Sequence, residues 1–129
     1  MGRYGECAIL ATKILDEKKT KNPRDAWELA ISKLIKNDPS EWVMKKGCPR
    51  AAFLSLCEEG CIRGVECGKY TRSTKNKEYV LKAVKELGQI SKPVKQLELW
   101  RKIGNQIAHS GQMDVVLSLW DNDLILKNK

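Results

Sequence analysis

Histidine occurs once in these 129 residues, phenylalanine once and proline four times, and aromatic residues make up only 6% of the chain. Each scarcity narrows the field. The one histidine, His109, has no G-x-S-x-G elbow for a nucleophile, so nothing supports a hydrolase arrangement around it. A P-loop, G-x-G-x-x-G, H-E-x-x-H and an EF-hand loop are all missing, which leaves no motif for a nucleotide, dinucleotide, zinc or calcium cofactor. No apolar run approaches the roughly 20 residues that cross a bilayer. The opening MGRYGECAILATKILDEKK is too briefly apolar for a secretory signal. Glu6 stands where N-myristoylation requires serine or threonine. A cytoplasmic protein without cofactor or membrane partner is expected.

What is present is an ordinary globular composition, 42% hydrophobic and 31% charged, long enough to bury a core without staples. Five cysteines without a secretory signal read as free thiols. Four of them, Cys48, Cys57, Cys61 and Cys67, fall within twenty residues at spacings of nine, four and six. Structural zinc sites pair their ligands two to four residues apart on turns, and no C-x-x-C supports a redox role. No metal is assigned, and Cys57 is expected to be a small buried hydrophobe. Net charge is +8, and residues 41–82 hold nine basic residues against five acidic ones. Such a balance suits nucleic acid, an acidic protein partner or plain solubility.

Helical spacing runs along the chain. Cys7, Leu10, Ala11 and Ile14 form an apolar stripe, and Asn22-Pro23 opens a second helix through Ala26, Trp27, Ala30, Ile31 and Leu34. Asp38-Pro39 repeats that start device for a short helix through Trp42 and Met44 that Gly47 ends. Cys48-Pro49 opens a central helix, with Ala52, Phe53, Leu56 and Cys57 inward and Gly60 in the left-handed position after it. Gly64 and Gly68 make residues 61–73 an arm, with one helical turn or a short extended piece around Ile62 and Val65. Ser73 or Asn76 caps the next helix, which carries Val80, Ala83, Val84 and Leu87 to a stop at Gly88. Ser91 and Pro93 begin another with Val94, Leu97 and Trp100 inward, and Ser110 caps the last, with Met113, Val116, Leu117 and Trp120 inward before an LILKNK tail. No alternating strand pattern, linker or repeat interrupts this. The expectation is an all-α fold, a single compact domain over 1–129 with six or seven short helices.

One constellation carries chemistry. Lys69, Arg72, Lys75, Lys77 and Lys82 meet a single acid, Glu78, and are interleaved with Tyr70, Thr71, Ser73, Thr74 and Asn76. Cations, hydroxyls and amides ahead of a helix N-terminus are the groups that hold phosphate oxygens. The bland alternative is a solvated loop with capping residues. A helix-turn-helix does not fit, because Gly64 and Gly68 disfavour a recognition helix by about 1 kcal/mol each. Glu58 and Glu59 project about 100° apart on a helix and read as a solvent-facing end. Arg101 precedes His109 by eight positions, a pairing similar to that of HEPN ribonuclease domains but with a longer gap than their motif allows. Of the four tryptophans, Trp42, on the shortest helix, is the candidate for an exposed anchor or dimer contact.

The blocks RYGECAILATKIL, CPRAAFLSLCEEG, YTRSTKNKEYVLKAV and QMDVVLSLW, in that order, resemble a family of small uncharacterised bacterial proteins, a domain of unknown function. The resemblance covers nearly the whole chain. It implies a bacterial or phage-borne, single-domain cytosolic protein and brings no activity or site residues. The leading expectation is a non-enzymatic protein contacting nucleic acid through Lys69, Arg72, Lys75 and Lys77, with Arg50 and Arg63 in support. The alternative is a protein-interaction module, whether homodimer, inhibitor or adaptor, using Trp42.

Overall fold

Asparagine before proline starts one helix and glycine after an apolar stripe stops another; local devices of this kind make the chain helical. The structure is a computed structural model and describes residues 2–35, 47–104 and 111–126. Six helices lie among them: α1 (Arg3–Asp16), α2 (Pro23–Ile35), α3 (Gly47–Glu58), α4 (Thr74–Leu87), α5 (Gln96–Lys102) and α6 (Gln112–Asp121). The all-α expectation holds. None of these helices is long and apolar enough to cross a membrane. The expected short helix from Asp38 through Met44, with Trp42, lies outside the described residues, as do His109 and Ser110.

Helix starts follow the sequence closely. Asn22 accepts the Arg24 N–H at 2.8 Å, so α2 is capped one residue before its proline. Ser73 accepts the Asn76 N–H at 3.3 Å and caps α4. Gly47 is the first residue of α3, one before the expected Cys48-Pro49 start, and Gly111 holds the N-cap position of α6.

Three helix ends share one device. The Gly60 N–H donates to the Cys57 carbonyl at 3.1 Å and the Cys61 N–H to the Leu56 carbonyl at 2.9 Å. Those two bonds make a Schellman motif around Gly60, whose φ is +69°. The same pair of bonds ends α1 around Lys18 and α6 around Asp123, both non-glycine residues at positive φ. Two of these caps release short extended pieces toward each other. Arg63 N–H donates to the Leu124 carbonyl at 2.8 Å and Leu126 N–H to the Cys61 carbonyl at 2.9 Å, forming an antiparallel bridge between Ile62 and Ile125. Of the two forms expected around Ile62, the short extended piece is the one present. The expected tail is corrected: Ile125 is fully buried and Leu124–Leu126 are docked.

Apolar residues from all six helices join one core. α6 packs against α1, α3, α4 and α5, while α2 leans on α1 and α3. Trp27 and Phe53 stack at 5.4 Å between α2 and α3, and Tyr79 meets Trp100 edge-on at 4.9 Å between α4 and α5. Trp27 and Trp100 are core residues, as expected of most of the tryptophans. α5 departs from expectation. It begins at Gln96, turns Leu99 and Trp100 inward, and leaves Leu97 50% exposed.

A buried carboxylate ties the first helix to the last. Gly2, the N-cap of α1, has no side chain to serve the free N–H groups at that end. Asp114 of α6 does so instead, accepting from the N–H groups of Gly2 and Gly5 at 2.9 Å each. Ser118 Oγ and Gln96 Nε2 also donate to it, at 3.3 and 3.4 Å. Asp114 is only 4% exposed, so these four donors and the positive end of the α1 dipole take the place of water. Gly5 is required by this approach, because a Cβ there would overlap Ser118 Oγ and sit 2.7 Å from Asp114 Oδ1.

Asp114→Ala, which strands the Gly5 N–H in the core, should lower unfolding free energy by about 1–3 kcal/mol in urea titrations. Gly5→Ala should destabilise as well, through the clash. Ser55 Oγ, by contrast, is buried on α3 without a hydrogen-bond partner among the described residues. Ser55→Ala should therefore leave stability unchanged or raise it by up to about 1 kcal/mol.

Candidate nucleic-acid interface

The arm after Gly60 carries no regular structure of its own, so its backbone N–H groups need partners from outside it. Glu58, in the last turn of α3, supplies them. Its Oε1 accepts the Tyr70 N–H at 2.8 Å and the Thr71 N–H at 3.3 Å. Its Oε2 forms an ion pair with Lys77 Nζ, which also lies 3.8 Å from Glu59 Oε2. The Gly68 N–H reaches the Glu58 carbonyl at 3.3 Å. One residue at the end of α3 thus grips the arm and the first turn of α4 together.

Further bonds fix the loop. Thr71 Oγ1 accepts the Ser73 N–H at 3.2 Å, and the Tyr70 hydroxyl donates to the Glu66 carbonyl at 2.9 Å. A Cβ on Gly68 would lie 2.8 Å from the Tyr70 ring, so the chain folds back tightly there. Arg24, in the first turn of α2, donates from its guanidinium to the Tyr70 carbonyl at 3.2 Å. Gln112 of α6 donates to Asn76 Oδ1 at 3.1 Å. The basic loop is therefore tied to α2, α3 and α6.

This geometry sorts the candidate cations. Lys69, Arg72 and Lys75 are exposed and make no ion pair among the described residues. Lys77 is half-buried and held by the two carboxylates. Arg50 pairs with Glu28 at 3.6 Å, some eight residues back along α3 from Glu58, or about 12 Å of helix. Arg63 pairs with Asp123 at 3.7 Å and donates to the Asp123 carbonyl at 3.1 Å beside the bridge. Two of the six expected residues, Lys69 and Arg72, thus share one exposed loop, and Lys75 follows in the first turn of α4. Lys77 anchors that loop, and Arg50 and Arg63 are engaged elsewhere. Trp42 lies outside the described residues.

Two participants escaped the sequence reading. Arg24 stands 46 residues from Tyr70, and only the tertiary fold brings them together. Glu58 was expected to face solvent beside Glu59. In the fold its side chain is only 9% exposed while that of Glu59 is 42% exposed. The spacing of the two acids carried the one available signal, since Glu58 follows Cys57 at the edge of the buried face.

The cysteines take separate environments. Cys7, Cys57 and Cys61 are buried, Cys48 is half-buried and Cys67 is exposed. Burial pushes the Cys7 and Cys57 thiols well above their ordinary value, with Cys61 adding to the effect on Cys57. Thiols so placed are poor nucleophiles. No cluster of three or more metal-ligating side chains occurs among the described residues.

Fold and loop together define a small all-α protein presenting a cationic loop on a carboxylate anchor. The model of a family of unknown function, DUF6979, matches residues 1–126, and the chain belongs to that family. No curated protein and no solved structure matches it.

The Lys77 ion pair, and next the Tyr70 N–H, hold the Glu58 carboxyl below the usual carboxylate range. Because that value is lowered in the folded state, the stabilisation is present above the unfolded carboxylate value and is lost as pH falls through the folded one. Lys77 is raised by the same pair, and its share is lost only as pH rises beyond the ordinary lysine range. The protection factors of the Tyr70 and Thr71 amides, taken against the intrinsic exchange rate at each pH, should therefore be high at neutral pH and fall as pH drops below the usual carboxylate range. Glu58→Gln should release the same amides at neutral pH and expose Lys69 and Arg72 to trypsin.

Proposed function

We propose that the protein binds nucleic acid in the cytoplasm through its phosphate backbone, without catalysing a reaction on it. Lys69, Arg72 and Lys75 are the principal contacts and Arg24 stands beside them. The observation that carries this reading is the pairing pattern. The loop's anchor engages Lys77 and leaves Lys69, Arg72 and Lys75 without a carboxylate within 4 Å among the described residues, Glu78 acting on Lys75 only from further off. A loop already held in place loses little further conformational entropy when phosphates bind. The positive end of the α4 dipole lies at the same place and favours an anion there.

Backbone recognition of this kind has a salt signature. Each phosphate neutralised on duplex DNA contributes about −0.9 to the slope of log K against log salt, and about −0.7 on a single strand. A protein-interaction role for the chain draws less support. Among the described residues the exposed large hydrophobics are Leu29 and Leu97, on different helices.

Fluorescence anisotropy of labelled duplex DNA, single-stranded DNA and RNA, titrated between about 50 and 200 mM salt, tests the proposal. The variant Lys69→Gln/Arg72→Gln/Lys75→Gln should weaken binding by at least tenfold at low salt and flatten the slope by about 2–3. Binding with an unchanged slope would remove the loop from the interface. No binding by the native chain at any salt would defeat the nucleic-acid reading.

A further inference from the structure

Helix α4 is buried along one side through Val80, Ala83 and Leu87. Positions 75, 78, 82 and 85 recur at i, i+3, i+7 and i+10, so they line one face, turned away from that buried side. In the sequence this face reads Lys75, Glu78, Lys82 and Lys85, and Gln89 follows just past the helix end. Its far end does not stop at open surface. Lys82, Lys85, Glu86 and Gln89 form one wall of a cleft of about 470 Å³ whose other wall is the end of α5, with Lys102. Three lysines from two helices therefore converge on a single depression.

We infer that the phosphate-binding surface is a continuous track, running from Lys69, Arg72 and Lys75 along the exposed face of α4 into the cleft between Lys82, Lys85 and Lys102. The inference rests on the nucleic-acid reading and extends it, assigning a second group of contacts and a length of strand. Lys75 and Lys85 are ten residues apart, about 15 Å along the helix. That length spans about four phosphates of one strand at 3.4 Å each along the axis.

The acids on the track do not close it. Glu78 pairs with Lys82 at 2.9 Å, with both side chains more than half exposed, and exposed pairs of this kind hold only weakly. A phosphate can take over Lys82 from it. Glu86 is half-buried in the cleft wall and repels an incoming anion. Lys85 and Lys102 occupy the last turns of their helices, where a cation also offsets the helix dipole. Lys82 lies mid-helix, beyond the dipole's reach, while Lys75 stands in the first turn of α4 at its positive end, and both extend the same line of charge.

Labelled oligothymidylates of about two and about ten nucleotides, the shorter too small to reach past the loop and the longer able to cover the whole track, provide the probe. Three proteins are compared: the native chain, the loop variant above, and Lys82→Gln/Lys85→Gln/Lys102→Gln. All six replaced side chains are exposed, so the fold should survive, and circular dichroism checks that it does. The longer probe should bind the native chain at least tenfold more tightly than the shorter one. The cleft variant should abolish that gain and flatten the salt slope for the longer probe by about 2. Glu86→Gln should tighten binding of the longer probe alone, a result that lysines serving only their own helix ends would not produce. Loss in the loop variant with no change in the cleft variant overturns the track and leaves the loop reading standing. Loss in the cleft variant alone overturns the continuous track and the loop assignment together. Absence of binding by the native chain overturns both.

Discussion

Eight of the ten residues of α6 are buried, Asp114 among them, and an ionised carboxylate at that depth costs several kcal/mol unless its oxygens are satisfied. The fold meets this constraint with the end of another helix. The N–H groups at the start of α1 and the dipole behind them supply what water would have supplied, and Ser118 and Gln96 complete the set. Satisfaction here fixes distance and direction together. α1 must approach α6 closely enough that only glycine fits at position 5, and α2 then lies against the outer side of α1. A packing preference alone would tolerate sliding, whereas hydrogen bonds from two N–H groups of one helix end to one carboxylate do not.

Glu58 repeats that logic where the chain lacks secondary structure. Both carboxylates accept two backbone N–H groups from a segment remote in sequence, and both face the start of a helix. The difference lies in the third partner. Asp114 is completed by neutral donors, while Glu58 is completed by a lysine from α4, so the second anchor also decides which positive charges remain outward. The loop that precedes α4 is thereby structural on its inner side and cationic on its outer side.

Much of the fold was legible because it is locally encoded. Asn22-Pro23, Ser73, Gly60 and the apolar stripes other than that of α5 act within one or two turns, and each does in the fold what its spacing implies. The misses have a common physical origin in contacts between distant segments. Ile125 is buried because its strand pairs with Ile62, and no pattern in LILKNK announces that partner. Lys18 and Asp123 take the left-handed position usually given to glycine, so residue type alone hid two of three similar caps. Leu97 and Leu99 are both leucines two positions apart on a seven-residue helix, and which one turns inward depends on where α5 meets its neighbours. The basic loop was visible as composition. Its division into anchoring and outward cations was not, because Glu58 and Arg24 reach it from other helices.

That division changes how the charge of the protein is to be weighed. A formal +8 suggests a broad electrostatic attraction, yet a cation already paired contributes little net charge at its own position. Arg50, Arg63, Lys77 and Lys82 each have a carboxylate within 4 Å or less. The cations most available to a partner are those with no carboxylate within 4 Å, and at the loop and the first turn of α4 these are Lys69, Arg72 and Lys75. On the proposed nucleic-acid reading, so few phosphate contacts would set a modest ceiling on affinity, in the range of nonspecific binding at roughly 10⁻⁴ to 10⁻⁶ M under physiological salt. They also carry no sequence information, since phosphates position a protein without identifying bases. A rigid loop of this size therefore suits a protein that rests on nucleic acid wherever the backbone is accessible, and tighter binding requires the charge to continue beyond the loop.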